Sequence, residues 1–237
     1  MNSRTLTNSS TYNLDGPSGA PSPSRWTRSD PDRSGGGARP SLRPRPRFPT
    51  QTQIETQMAL RPVLQFPDKR LADRSIRIES VTDEIRELAL DLCDVMYDEP
   101  GIGLAAPQVG CAVRLVVVDT EWTAEDAERN PLILVNPELS EHQGRIVWNE
   151  GCLSVPDFEA DVARAERVLL RATDLDGKEL ELRAEDLQAV CLQHEIDHLD
   201  GILFIDRISR LKRSRYAAKR KKQLKLDALD DDTASDA

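Results

Sequence analysis

An α+β fold, in which antiparallel β-sheets pack around a central helix, is predicted for this 237-residue chain. An amphipathic helical pattern precedes a series of short apolar segments, and a second helical pattern follows them. The strand-like segments adjoin tight turns and do not alternate with helices, which favours antiparallel pairing over βαβ units. Because 38% of the residues are hydrophobic, the chain can fill one sizeable core.

The first helix is predicted to begin after Thr82, a suitable N-cap, and to end before Pro100 and Gly101. Its apolar residues recur at spacings of three and four, as one face of a helix requires. These residues are Ile85, Leu88, Ala89, Leu92, Cys93 and Met96.

Short strands are predicted next, at Val113–Asp119, Leu132–Val135 and Ile146–Trp148. A hairpin of Arg167–Ala172 and Glu179–Arg183 follows, joined by a turn at Asp176-Gly177. The second helix is predicted from about Glu185 to Leu199, with Gly201 placed to end it.

Composition divides the chain into four regions. Residues 1–57 contain eight Arg, no Lys and few apolar groups, so they are predicted to be disordered. They are expected to be either a dispensable extension or an organellar transit peptide. Residues 58–206 are expected to form the folded domain of the chain. Residues 207–226 form a basic helix with ten Lys or Arg residues, and residues 227–237 form an acidic tail predicted to be disordered.

Several protein classes are excluded by composition. No apolar run approaches the roughly 18 residues that a membrane-spanning helix needs, and no secretory signal pattern is present. The four cysteines are too few and too scattered for a disulfide scaffold, so they are expected to be thiols in a reducing compartment such as the cytoplasm. The net charge of −9 argues against a general nucleic-acid binder.

The second helix carries the motif HExxH at residues 194–198. His194 and His198 lie one turn apart on the same helix face, where both imidazoles can hold one divalent metal. Glu195 is rotated away from that face and can reach a water on the metal as its general base. Both histidines could instead be core residues, but two of only three histidines in the chain fall in this pattern, which favours the metal site.

A catalytic site of this kind uses a third protein ligand. Phe204 stands where a metzincin has its third histidine, and no Glu follows Glu195, which excludes two known arrangements. Among the remaining candidates Cys152 is favoured over His142, because Gly151 allows a tight turn that presents the thiolate. Spacing alone leaves this choice open.

Residues 101–108, GIGLAAPQ, fit the pattern GxGxxG/A, but they follow a helix and run into Pro107. The dinucleotide fingerprint must follow a strand, so a nucleotide site is rejected. The glycines are expected to let the backbone approach a ligand closely, and Gln108 offers an amide donor.

Three separated segments, GIGLAAPQ at 101–108, EGCLS at 150–154 and QHEIDHL at 193–199, together resemble the peptide deformylases. The resemblance extends from about Met58 to the basic helix near Lys225. It implies a Cys-His-His metal site of Cys152, His194 and His198 that normally binds Fe²⁺, for which Zn²⁺, Ni²⁺ or Co²⁺ can substitute.

The implied reaction is hydrolytic removal of the formyl group from N-formylmethionine of nascent polypeptides. Water activated by the metal attacks the formyl carbon while Glu195 acts as general base and then general acid. The Gln108 amide and the Leu153 backbone N–H would stabilise the oxyanion. The methionine pocket would be lined by Ile102, Gly103, Leu187, Val190 and Cys191.

The resemblance also implies a cytoplasmic, bacterial-type monomer that docks its basic C-terminal helix near the ribosomal exit tunnel. Two alternatives use the same residues. A zinc-dependent peptidase would cleave internal peptide bonds. A non-enzymatic, metal-stabilised ribosome-binding protein would leave Glu195 without a role.

Overall fold

The computed structural model describes residues 61–122 and 128–235, the last eight of them by their backbone alone. The extension predicted at residues 1–57 lies outside this part of the chain. Within it there are three α-helices, α1 Asp83–Asp98, α2 Asp186–Leu199 and α3 Arg210–Ser235. The seven strands are β1 Gly103–Ala105, β2 Leu115–Val118, β3 Leu132–Gln143, β4 Ile146–Cys152, β5 Val155–Arg164, β6 Arg167–Thr173 and β7 Glu179–Glu185.

The strands form two sheets. One has five strands in the order β1-β2-β3-β6-β7, and the other is the β4–β5 hairpin. Every pairing between these strands is antiparallel. The predicted α+β class with antiparallel sheets is therefore confirmed.

Strand β2 separates two hydrophobic cores. Leu115 and Val117 pack with the apolar face of α1, whereas Val116 and Val118 pack with α2. Side chains alternate across a strand, so a strand covered on both faces needs a continuous apolar run. All four residues of β2 are buried, which explains the sequence LVVV.

Helix α2 is buried along most of its length. Ten of its fourteen residues are buried, and its apolar side chains pack against the five-stranded sheet. A third cluster lies beside the β4–β5 hairpin, where Val155 and Val162 of β5 pack with Phe204 and with Tyr216 of α3. The packing of α2 against the five-stranded sheet therefore holds the HExxH motif in place.

Several predicted elements need correction, among them β4, which does not end at Trp148 but continues to Cys152. Strand β3 does not end at Val135 but continues to Gln143, because its polar half pairs with β6. Strands β1 and β5 were missed, β5 because charged residues interrupt its buried positions. Thr82 is the N-cap residue of α1 as predicted, but its side chain makes no capping hydrogen bond.

The basic helix also differs from its prediction. Helix α3 begins at Arg210, and its backbone remains helical through Ser235, over positions predicted as a disordered acidic tail. Tyr216 attaches it to the domain by donating a hydrogen bond from its hydroxyl to the Pro156 carbonyl, at 3.2 Å. None of the described helices has the length and apolar character that crossing a membrane requires.

Candidate active site

The β4–β5 hairpin presents Cys152 to helix α2. Cys152 pairs with Val155 across a two-residue turn, and the register shifts between Glu150 and Cys152. Such an irregularity re-aims the side chain that follows it. The Cys152 sulfur lies 3.2 Å from His198 Nε2.

The two histidines of α2 complete a cluster with this thiol. One ligand atom each from Cys152, His194 and His198 lies within 4.8 Å of the others. The imidazole ring centroids of the two histidines are 5.0 Å apart. One thiolate and two imidazoles form a donor set that suits transition metals such as iron and zinc, so the residues present fit a resident metal.

Glu150 orients the His194 ring. Its Oε2 lies 2.8 Å from His194 Nδ1, and its carboxylate also accepts hydrogen bonds from Arg164 Nε and Nη2 at 2.7 and 2.8 Å. Burial alone would raise the pKa of Glu150, but the hydrogen bonds from Arg164 and His194 lower it to about 2. The carboxylate is therefore ionised and accepts the Nδ1 proton, which leaves His194 Nε2 as the free ligand atom.

Arg164 connects this carboxylate to helix α2. Its Nη1 donates to Asp197 Oδ2 at 2.5 Å, and Arg207 Nε donates to the same oxygen at 2.5 Å. The side chain of Arg164 is only 2% exposed. The resulting chain of alternating charges joins β4, β5, α2 and the segment before α3.

Glu195 is a buried carboxylate in a different environment. Burial raises its pKa to about 7. Its Oε2 has no hydrogen-bond partner among the described residues. Gly103 lies so close that an added Cβ would fall 2.6 Å from Glu195 Oε1, so any other residue would displace the carboxylate.

The amide of Gln108 has a defined orientation. Its Oε1 accepts the Ala105 backbone N–H at 2.8 Å, which requires oxygen at that position. Its Nε2 then lies 3.2 Å from Ser154 Oγ and 3.7 Å from Cys152 Sγ. The amide donor is therefore held beside the proposed metal ligands.

A cavity of about 710 Å³ opens onto this cluster. Of the metal-ligand, catalytic and pocket residues that the resemblance implies, all line it except His198, which is buried. The lining residues from that set are Ile102, Gly103, Gln108, Cys152, Leu153, Leu187, Val190, Cys191, His194 and Glu195.

The other candidate ligands lie elsewhere or make other contacts. His142 is exposed on β3, and Cys93 is buried in the core of α1. The Cys191 thiol donates to the Ile102 carbonyl at 3.5 Å. Ser154 and Asp197 were missed by sequence reasoning, although Asp197 stands inside the HExxH segment and could have been suspected there.

Comparison with known proteins decides the family, because a family model described as polypeptide deformylase matches residues 60–214. The chain belongs to the peptide deformylase family. Peptide deformylases remove N-terminal formyl groups, so the chain is a metal-dependent hydrolase that acts on formylated nascent peptides and releases formate.

Individual deformylases are similar over nearly their whole length. The peptide deformylase of Alkalilimnicola ehrlichii is 50% identical over 165 residues, which are 70% of this chain and 91% of that protein. That of Zymomonas mobilis is 49% identical over 172 residues, 71% and 97% of the two chains. The crystal structure of a Legionella pneumophila deformylase matches with a TM-score of 0.66 at 42% identity, over 72% of this chain and 98% of the other. These matches favour neither the peptidase nor the non-enzymatic alternative.

The buried Arg164 network gives a stability prediction. Replacing Arg164 with Met removes the buried cation that Glu150 and Asp197 share, and breaking such a buried pair costs about 3–5 kcal/mol. We expect the free energy of unfolding, measured with urea, to fall by about this amount.

The matched control is Arg171→Met, which breaks an ion pair with Glu181 whose two side chains are 66% and 55% exposed. Exposed pairs contribute about 0–1 kcal/mol, so this variant should remain near wild type. Equal losses in the two variants would contradict the role assigned to Arg164.

Proposed function

We propose that Cys152, His194 and His198 hold the catalytic metal and that Glu195 is the general base and acid of deformylation. The observation that carries this assignment is the convergence of one thiol and two imidazoles beside a cavity lined by a buried carboxylate. The unpartnered Glu195 Oε2 also supports it, because a buried oxygen without a hydrogen bond is costly unless substrate or water uses it.

The bound metal supplies Lewis acidity, which lowers the pKa of water and polarises the formyl oxygen. Glu195 accepts a proton from the attacking water and later delivers it to the leaving amine, and a pKa of about 7 suits both transfers. Glu150 keeps the His194 ring in place through the Nδ1 hydrogen bond. Gln108 Nε2 and the Leu153 backbone N–H are proposed to donate to the developing oxyanion.

The substrate methionine is proposed to occupy the apolar part of the cavity. Val190 and Cys191 stand one turn before His194 on α2, and Leu187 stands two turns before it. Ile102 and Gly103 line the same cavity next to Cys191. An unbranched thioether side chain fits such a site, because it adapts to irregular apolar surfaces.

Exchange of Glu195 for Gln tests the catalytic assignment. Gln keeps the size of the side chain but cannot carry the proton, so kcat for formate release should fall by about 10²–10⁴-fold. Metal content and the thermal midpoint should stay near wild type, because Glu195 is not assigned as a ligand. The control Glu79→Gln changes an exposed carboxylate outside the cavity and should keep full activity.

Two outcomes would refute the assignment. Full activity in the Glu195→Gln enzyme would show that another group transfers the proton. Loss of metal from that variant would show that Glu195 is a ligand.

We further propose that the resident metal is Fe²⁺ and that Zn²⁺, Ni²⁺ or Co²⁺ can replace it. A thiolate beside ferrous iron is open to oxidation, and Cys152 is partly exposed in the cavity. The iron-loaded enzyme should therefore lose activity in air faster than the nickel-loaded enzyme. Substituting the partly exposed Cys111 with Ser should not change that difference. Equal lifetimes of the two metal forms would contradict an accessible iron–thiolate site.

The basic helix is proposed to bring the enzyme to the ribosome near the exit tunnel. Lys219, Lys221, Lys222 and Lys225 are exposed on α3, beyond the Tyr216 attachment point. Clustered cations are attracted to RNA phosphates, with an affinity that falls steeply with salt.

Replacing these four lysines with Glu should abolish co-sedimentation with ribosomes at low salt, whereas replacing them with Arg should preserve it. Neither change touches Tyr216, so the attachment of α3 remains. Unchanged sedimentation of the Glu variant would refute the docking proposal.

The remaining assignments concern organisation and location. We propose that α2 is the centre of the catalytic domain 58–206, that residues 1–57 are a dispensable extension, and that the enzyme is a cytoplasmic monomer. The burial of α2 supports the first of these. A dimeric mass in sedimentation equilibrium would contradict the last.

A further inference from the structure

Residues 101–103 form one wall of the cavity through a segment with little intrinsic stiffness. Gly101 and Gly103 flank Ile102, and glycine has the widest backbone freedom of any residue. Neither glycine has a side chain that could anchor the segment by packing. The Ile102 side chain packs against the core around α2, but the backbone at the two glycines can be positioned only by hydrogen bonds with other parts of the fold.

Three strong N–H donors supply these bonds. The Gly101 N–H donates to the Met96 carbonyl at the end of α1 at 2.8 Å, and the Asp119 N–H donates to the Ile102 carbonyl at 2.9 Å. The Trp122 indole Nε1–H donates to the Gly101 carbonyl at 2.8 Å. Of these three hydrogen bonds, only the one from Trp122 comes from a side chain. The Cys191 thiol adds a fourth, weak bond to the Ile102 carbonyl.

The Trp122 indole is itself held in place. Its ring meets Tyr97 edge-on, at 5.2 Å between centroids and 85° between planes. The Asp119 carboxylate accepts hydrogen bonds from the Trp122 backbone N–H at 3.2 Å and from the Tyr97 hydroxyl at 2.7 Å. Arg129 lies over both rings, 4.4 Å from the Tyr97 centroid. An indole fixed on this many sides can fix the carbonyl to which it donates.

We propose that Trp122 is a positioning residue for the methionine pocket. By holding the Gly101 carbonyl, its indole N–H sets where Ile102 faces the substrate side chain. Trp122 does not line the cavity, so it acts through the segment 101–103 and not on the substrate. This inference rests on the proposed assignment of Ile102 and Gly103 to the pocket.

The test removes the indole N–H and keeps the aromatic ring, with Trp122→Phe. Because a net hydrogen bond is worth roughly a three- to tenfold change in an equilibrium, we expect KM for formyl-Met-Ala-Ser to rise by about that factor. For formyl-Ala-Ala-Ser, whose first side chain does not reach the pocket wall, KM should change less than twofold. The preference for Met over Ala should fall accordingly, with kcat much less affected.

A second variant removes the donor without changing shape. Incorporation of benzothienylalanine at position 122 replaces the indole N–H with sulfur, so it should reproduce the loss of preference even if Trp122→Phe folds poorly. Arg129→Gln is the control. Arg129 contacts the same aromatic cluster, but its side chain makes no hydrogen bond to the segment 101–103. This control should keep the wild-type preference.

The possible results distinguish a failure of the Trp122 proposal from a failure of the proposed methionine pocket. If the wild-type enzyme does not prefer Met over Ala, the proposed pocket is wrong. If the wild type discriminates and both donor-free variants discriminate equally well, the positioning role of Trp122 is wrong. An equal loss for both peptides would also overturn it, because that result indicates a general structural role.

Discussion

The buried Arg164 guanidinium is the constraint on which the rest of the site depends. It binds Glu150 of β4 on one side and Asp197 of α2 on the other. Cys152 follows Glu150 by two residues, and His198 follows Asp197 directly. One buried cation therefore holds β4 and α2 together, although they are distant in sequence. It thereby sets the distance between the Cys152 thiol and the His198 imidazole.

Two carboxylates that line the same cavity, Glu150 and Glu195, have very different pKa values. Glu150 accepts hydrogen bonds from Arg164 and His194, which hold its pKa at about 2, so it is ionised at neutral pH and orients His194. Glu195 receives no such hydrogen bonds from the residues that the structure describes, and burial raises its pKa to about 7. The environment thus suits Glu150 to a fixed electrostatic task and Glu195 to the proton transfer proposed for it, as occurs in other enzymes that use two acids.

The sequence predicted the parts of this arrangement that local patterns encode. The helical spacing of His194 and His198, and the hairpin turn at Gly177, follow from short-range geometry. The ion pair between Arg164 and Asp197 spans 33 residues and belongs to no periodic pattern, so the sequence alone could not predict it. The Trp122 contact with Gly101 was missed for the same reason. Likewise, spacing alone left Cys152 and His142 open as third ligands, and only the resemblance to the peptide deformylases implied Cys152. In the structure the Cys152 sulfur lies beside His198 and His142 is exposed.

The most direct test is the ligand set around the metal in the intact protein. X-ray absorption of the zinc-loaded enzyme should show one sulfur at about 2.3 Å and two imidazole nitrogens at about 2.0–2.1 Å, with lighter atoms completing the shell. Substituting Cys152 with Ser should remove the sulfur contribution. A shell of only nitrogen and oxygen in the wild-type enzyme would contradict the account, because the hairpin would then not deliver its thiolate to the imidazoles.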